Sequence, residues 1–149
     1  MANNNNNNNN NIVSQFVAAS GSDAIPRMAR MLLVDKTITD INIKDSNGDT
    51  ALYYQARFGT GTTGNMAWLL MQDPPAYIDI RSSCQYTPLM AAAQSDTDPE
   101  GKVRLLIEYG ANRDLKSKYG DTALSYARQH TYNAAAIDLL KNYRPDVSR

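Results

Sequence analysis

From Ile12 onward the chain alternates between two hydrophobic rhythms. Ile12, Val13, Phe16, Val17 and Ala19 fall on one side of a helix, and Met28, Met31, Leu32 and Leu33 form a second helical stripe. Between them Gly21-Ser22-Asp23 is a turn, with Asp23 expected to cap the next helix and Pro26 tolerated in its first turn. Asp40-Ile41-Asn42-Ile43-Lys44 then alternates with the period of an extended arm, and Asp45-Ser46-Asn47-Gly48 supplies turn chemistry. After that arm Thr50 is placed to cap a short helix carrying Leu52 and Ala56 inward. The Gly59–Gly64 stretch predicts a loop, Asn65 a second cap, and Met66, Ala67, Leu69 and Leu70 an outer helix closed by Asp73-Pro74-Pro75.

The cycle returns. Ile78-Asp79-Ile80-Arg81 is another arm, Thr87-Pro88 opens a helix through Leu89, Ala92 and Ala93, and Val103, Leu105, Leu106 and Ile107 make its outer partner, ended by Gly110. The arm Ala111–Lys116 leads to Thr122, Leu124 and Ala127, and then to Ala134, Ile137, Leu139 and Leu140. Gly48-Asp49-Thr50-Ala51-Leu52, Tyr86-Thr87-Pro88-Leu89 and Gly120-Asp121-Thr122-Ala123-Leu124 are versions of one phrase, with threonines 37 and 35 residues apart. A unit of that size cannot bury its own apolar face, so units must stack. The expected fold is an all-α repeat solenoid of helix-turn-helix units joined by short β-hairpin-like loops. Its units are 12–44, 45–80, 81–116 and 117–145, with polar tails at 1–11 and 146–149.

The succession of turn, Gly-x-Thr-Pro/Ala-Leu, helix, loop, helix with Leu-Leu and Gly-Ala resembles the ankyrin repeat. The fullest stretch is Leu105 to Ala127, and the match covers about Asp40 to Tyr143, with Ile12 to Lys44 as a degenerate first unit. Several positions depart from the pattern. Tyr53, Met90 and Ser125 stand where the repeat usually has histidine, Gln85 replaces the turn glycine, and Gln55 takes a position usually held by a small residue. The resemblance implies a non-enzymatic scaffold for protein–protein interaction.

Composition narrows the alternatives. Fifteen Lys and Arg balance fifteen Asp and Glu in 149 residues, so no net field draws nucleic acid or an anionic membrane. No apolar run approaches a membrane span, and Met1-Ala2 followed by asparagines shows no secretory leader, which points to the cytoplasm. Asn3–Asn11 is an asparagine tract that buries nothing, equally a natural low-complexity segment or a linker, and it is expected to stay disordered.

No catalytic or metal-binding constellation emerges, and no cofactor is implied. His130 is the single histidine and Cys84 the single cysteine; one reads as a helix-end residue and the other as a hairpin-tip thiol. Gly59–Gly64 lacks the lysine of a phosphate-binding loop, and Asp96, Asp98 and Glu100 lack the spacing of a calcium loop.

What remains is a surface. In stacks of this kind the hairpin tips and inner helices line a concave face whose side chains the core does not need. By register the candidates are Lys44, Asn47, Asp49, Arg57 and Phe58 in the second unit, and Arg81, Tyr86 and Gln94 in the third. The fourth supplies Lys116, Lys118, Tyr119, Asp121, Gln129 and His130. Tyr86 and Tyr119, one repeat apart, are the preferred anchors, although each tyrosine equally suits hairpin packing. The expected partner is a protein bound by a monomer. A pathogen or symbiont effector, or an inhibitor of a partner enzyme, would use the same surface.

Overall fold

The computed structural model describes residues 4–21, 23–60, 63–129 and 133–145. Among them the chain forms helices α1 (Asn4–Val17), α2 (Ala24–Ala29), α3 (Ala51–Phe58), α4 (Gly64–Leu70), α5 (Pro88–Ala93), α6 (Pro99–Glu108), α7 (Ala123–Arg128) and α8 (Ala134–Asn142). α2 runs directly into a π-helical stretch, Arg30–Val34, which the apolar pattern did not distinguish from ordinary helix. α1, α3, α5 and α7 pack in succession as an inner row. α2 packs on α4 and α6 on α8 as an outer row, and the rows meet in the pairs α3–α4, α5–α6 and α7–α8.

The repeated threonine does what its position dictates. Thr50, Thr87 and Thr122 each adopt extended backbone and accept an orphan N–H, from Tyr53, Met90 and Ser125. Ser125 returns the bond to Thr122, completing a capping box. Two expected caps are corrected. The carboxylate of Asp23 pairs with Arg27 four residues on instead of capping α2. Asn65 lies inside α4, not ahead of it, and donates to the Gln55 side chain at 3.3 Å. Asp98, from the acidic loop, is the N-cap of α6, accepting from Gly101 at 3.0 Å.

Core positions follow the stripes. Phe16, Met28, Leu52, Met66, Leu69, Leu89, Met90, Leu106 and Leu139 are buried in one continuous cluster. All six residues of α5 are buried, because it packs against α3, α6 and α7 at once; Ala91-Ala92-Ala93 keeps its flanks thin enough for that. Leu33 departs from its stripe and faces solvent where the helix becomes π-helical.

Each hairpin is closed by two backbone bonds: the N–H of Asp45, Ser82 and Ser117 donates to the carbonyl of Asp49, Tyr86 and Asp121 at 2.8 to 2.9 Å, and the N–H of Gly48, Gln85 and Gly120 donates back to the carbonyl of Asp45, Ser82 and Ser117 at 3.0 to 3.1 Å. No strand forms among the described residues, and the expected extended arms are corrected to turns: Ile43 N–H donates to the Asp40 carbonyl at 3.1 Å and Ile80 N–H to the Tyr77 carbonyl at 3.2 Å. Gly48 and Gly120 take φ of +79° and +81°. In the third unit Gln85 stands in for that glycine at φ 61°, preceded by Cys84 at φ 56° in a turn of 3-10 helix, Ser83–Gln85.

At the other end α1 begins inside the asparagine tract, which was expected to be a disordered tail. Once Ile12 and Phe16 anchor a helix on the core, each further asparagine costs only a fraction of a kcal/mol to add. Asn8–Asn11 are exposed and add nothing to the core.

Candidate functional site

The candidate residues sit along an edge that is itself a ladder between units. Lys44, Arg81 and Lys116 share one register position. The Lys44 ammonium donates to the Arg81 carbonyl, and the Arg81 guanidinium donates to the carbonyls of Lys116 at 2.7 Å and Gln85 at 3.0 Å. A second rung runs the opposite way. The Asn42 side-chain oxygen accepts from the backbone N–H of Tyr77 at 2.8 Å, and the Asp79 carboxylate from that of Asn112 at 3.0 Å. Nearer the tips Ser83 donates to the Asn47 carbonyl at 3.1 Å, and the Lys118 N–H donates to the Cys84 carbonyl at 2.9 Å. Lys44 and Arg81 therefore position the hairpins as well as facing solvent. Repetition of a cationic residue at one register was the sequence signal for this.

An aromatic stack occupies the tips of the last two hairpins. The Tyr119 ring lies 6.5 Å from Tyr86, which meets Tyr126 edge-on at 5.5 Å. The Tyr126 hydroxyl bonds Ser117 at 2.9 Å. Tyr86 is half-buried in this stack, whereas Tyr119 is 63% exposed. The hydrogen bond to Tyr126, together with burial, raises the Tyr86 phenol well above its ordinary range. Tyr119 shares a 3.7 Å contact with the Cys84 thiol, and that contact raises it too.

In the second unit the Arg57 guanidinium lies 5.1 Å from the Phe58 ring centre and donates to the Gln94 carbonyl at 2.9 Å. Phe58 is 52% exposed and stacks on Tyr54 at 5.3 Å. Asp49 is partly buried, and burial followed by the nearby Asp45 charge raises its carboxyl. Lys116, Lys118 and Gln129 are exposed and Asp121 half-buried. His130 lies outside the described residues.

Where the chain leaves the C-terminal ends of the inner helices lies a set of polar contacts that periodicity alone does not show. Gln55, buried, donates to the Ala19 carbonyl; Lys102 donates to the Gly59 carbonyl at 2.7 Å; Asn133 donates to the Ala93 carbonyl at 2.6 Å. Each satisfies the chain as it leaves an inner helix of the preceding unit. Gln55 at a small-residue position was the one visible hint. Among the described residues there is no group of three or more His, Cys, Asp or Glu close enough to hold a metal ion. Nor is any described helix long and apolar enough to cross a membrane. The arrangement offers rigidly held aromatic, cationic and amide groups, which suit recognition.

Comparison with known proteins agrees with this geometry. A family model described as ankyrin repeats, three copies, matches residues 60–149. NF-kappa-B inhibitor epsilon from Homo sapiens is 38% identical over 76 residues, which are 51% of this chain and 15% of that protein. The crystal structure of EF0377, an ankyrin repeat protein, superposes with a TM-score of 0.70 at 25% identity, over 90% of this chain and 64% of that one. A chain from the structure of the Bd0816 predatory endopeptidase of Bdellovibrio bacteriovorus in complex with immunity protein Bd3460 superposes with a TM-score of 0.63. That pair is 23% identical over 82% of this chain and 59% of that one, a likeness of fold.

Proposed function

Because the chain belongs to the ankyrin-repeat family, a family of interaction modules, we propose that it binds a protein partner on its concave face without catalysing a reaction. The contact surface runs from Arg57 and Phe58 on the second unit to Lys118, Tyr119 and Asp121 on the fourth. The observation that carries the reading is the position of Tyr119. It is an exposed aromatic ring backed by Tyr86, which is backed in turn by Tyr126. An aromatic anchor already held in place forfeits little conformational entropy on binding, and Tyr and Arg are the residue types that dominate interface energetics. Arg57, tied to the Gln94 carbonyl and lying beside the Phe58 ring, is a second pre-positioned contact.

The test is affinity capture from the native source with the wild-type chain and a Phe58→Ala/Tyr119→Ala double variant. Both rings are largely exposed, so the variant should retain its circular dichroism and melting temperature while losing the captured protein. Undiminished capture by the double variant would place the contact elsewhere on the molecule.

A further inference from the structure

The outer row carries apolar side chains in its first two units where its last two carry charge. Met31, Leu69, Leu106 and Leu139 are buried at one register, and two residues further on stand Leu33, Met71, Glu108 and Lys141. All four of these are exposed. Glu108 and Lys141 suit a position that faces water, whereas Leu33 and Met71 leave apolar surface there, at 64% and 70% exposure. Met71 belongs to the second unit, whose inner helix packs on both α1 and α5, so its exposure is not an effect of where the stack begins.

Beside these two residues a groove of about 270 Å³ opens between the π-helical stretch of the first unit and the end of α4. Leu32, Leu33, Ile38 and Ile41 on one side and Pro74 on the other make its wall apolar. Two departures from ordinary backbone shape the near side. The π-helical turn leaves Leu33 and Val34 outside the core stripe, with Val34 73% exposed, and Lys36 takes φ 50°, a region that favours glycine. The groove holds one cation and one acid, Lys36 from the first unit and Asp73 from the second. Both are exposed, and among the described residues neither makes an ion pair. Arg30 and Asp35 nearby neutralise each other at 3.1 Å.

We propose that this outer patch is the contact between two copies of the chain related by a two-fold axis. Such a contact is self-complementary, because each copy must receive what it offers. The patch meets that condition in shape and in charge. Met71 stands beside a groove large enough for one side chain, so Met71 of each copy enters the groove of the other. Lys36 of each copy meets Asp73 of the other, and the two unpaired charges are matched twice. Leu33, Val34 and Met71 expose about 350 Å² of apolar surface, and with its polar rim the pair buries about 1,200 Å² in total, the low end for a specific interface. The dimer is accordingly weak, with a micromolar dissociation constant. It replaces the monomer expected from sequence and leaves the concave face free for the partner proposed above.

The experiment is sedimentation velocity of the full chain from about 5 to 500 µM, the span that a micromolar constant requires. A reversible monomer–dimer equilibrium is expected, with amide shifts on dilution at Leu33, Lys36 and Met71 in NMR spectra. Leu33→Glu and Met71→Glu, both at exposed positions, should keep the melting temperature and weaken the dimer at least about tenfold. Lys36→Asp or Asp73→Lys alone sets like charges against each other twice and should weaken it about tenfold. Lys36→Asp together with Asp73→Lys restores opposite charges and should return the affinity to within about threefold of the wild type. The Phe58→Ala/Tyr119→Ala variant should dimerise as the wild type does, which separates this contact from the concave face. A monomer at every concentration would overturn the proposal, as would a dimer indifferent to Leu33→Glu. Failure of the double charge exchange to recover affinity, or loss of the dimer in Phe58→Ala/Tyr119→Ala, would overturn it too.

Discussion

The Lys102 ammonium is buried against the Gly59 carbonyl at 2.7 Å, with Ser95 and Thr97 hydroxyls at 2.8 and 3.1 Å and no carboxylate in the set. A lysine of the third unit thus holds the loop that leaves α3 of the second. Residue exposure is 2%, and this burial lowers the ammonium to about pKa 8 from 10.5.

Between those two values the unfolded chain keeps a proton that the folded chain has released, so stability rises with pH across that window. Urea unfolding of the wild type should show a gain on the order of 2 kcal/mol between about pH 8 and 9.5, against a flat response in Lys102→Met. Above pH 10 the tyrosines oppose the trend. Tyr86 and Tyr53 keep their protons in the folded chain after unfolded phenols have ionised, and stability falls. Parallel curves for the wild type and Lys102→Met between pH 8 and 9.5 would show that Lys102 is not the titrating group.

Leu106 is fully buried on α6, in a unit covered on both sides. Leu106→Ala should cost about 2–5 kcal/mol, whereas Leu105→Ala, at a half-buried position, should cost less. Denaturant midpoints at constant slope measure both, and equal losses would mean the helix is rotated from this register.

Gln85 holds a left-handed backbone that favours glycine. Gln85→Gly should raise stability by about 1 kcal/mol, seen as a higher melting temperature. A lower melting temperature would show that the Gln85 side chain contributes more than its backbone costs.

The two stacked tyrosines should separate. Tyr86→Ala removes a half-buried ring from between Tyr119 and Tyr126 and should cost about 2–3 kcal/mol. Tyr119→Ala should change stability by less than about 0.5 kcal/mol, because its ring faces solvent. Calorimetry of both variants decides, and similar costs would mean Tyr119 is part of the packing.

What the chain reveals before folding follows from how far each interaction reaches. Thr50, Thr87 and Thr122 act on neighbours three residues away, and Leu69, Leu106 and Leu139 recur 37 and 33 residues apart, so caps, helices and core were legible. Lys44, Arg81 and Gln55 act on carbonyls about 35 residues distant, and their targets exist only once units stack. The tip residues were likewise chosen by register. Register sets Tyr86 opposite Asp121 and Tyr119 opposite Cys84 on neighbouring hairpins, yet it has no means of showing that the Tyr126 ring half-buries Tyr86 and leaves Tyr119 bare. Asp23 and Asn65 misled because each has a competing partner, Arg27 and Gln55, that composition does not rank.

The all-buried α5 has a consequence for anything that lies along the inner row. It presents no side chain to a partner, so the contact proposed above divides between two islands, Arg57 and Phe58 on one side and the Tyr119 tip on the other. The buried alanines act as a stiff spacer that fixes the distance between two half-sites. On that proposal, recognition is bivalent within a single molecule. A partner that matches the spacing gains the full effective concentration of its second contact, and one that misses it keeps only the affinity of the first.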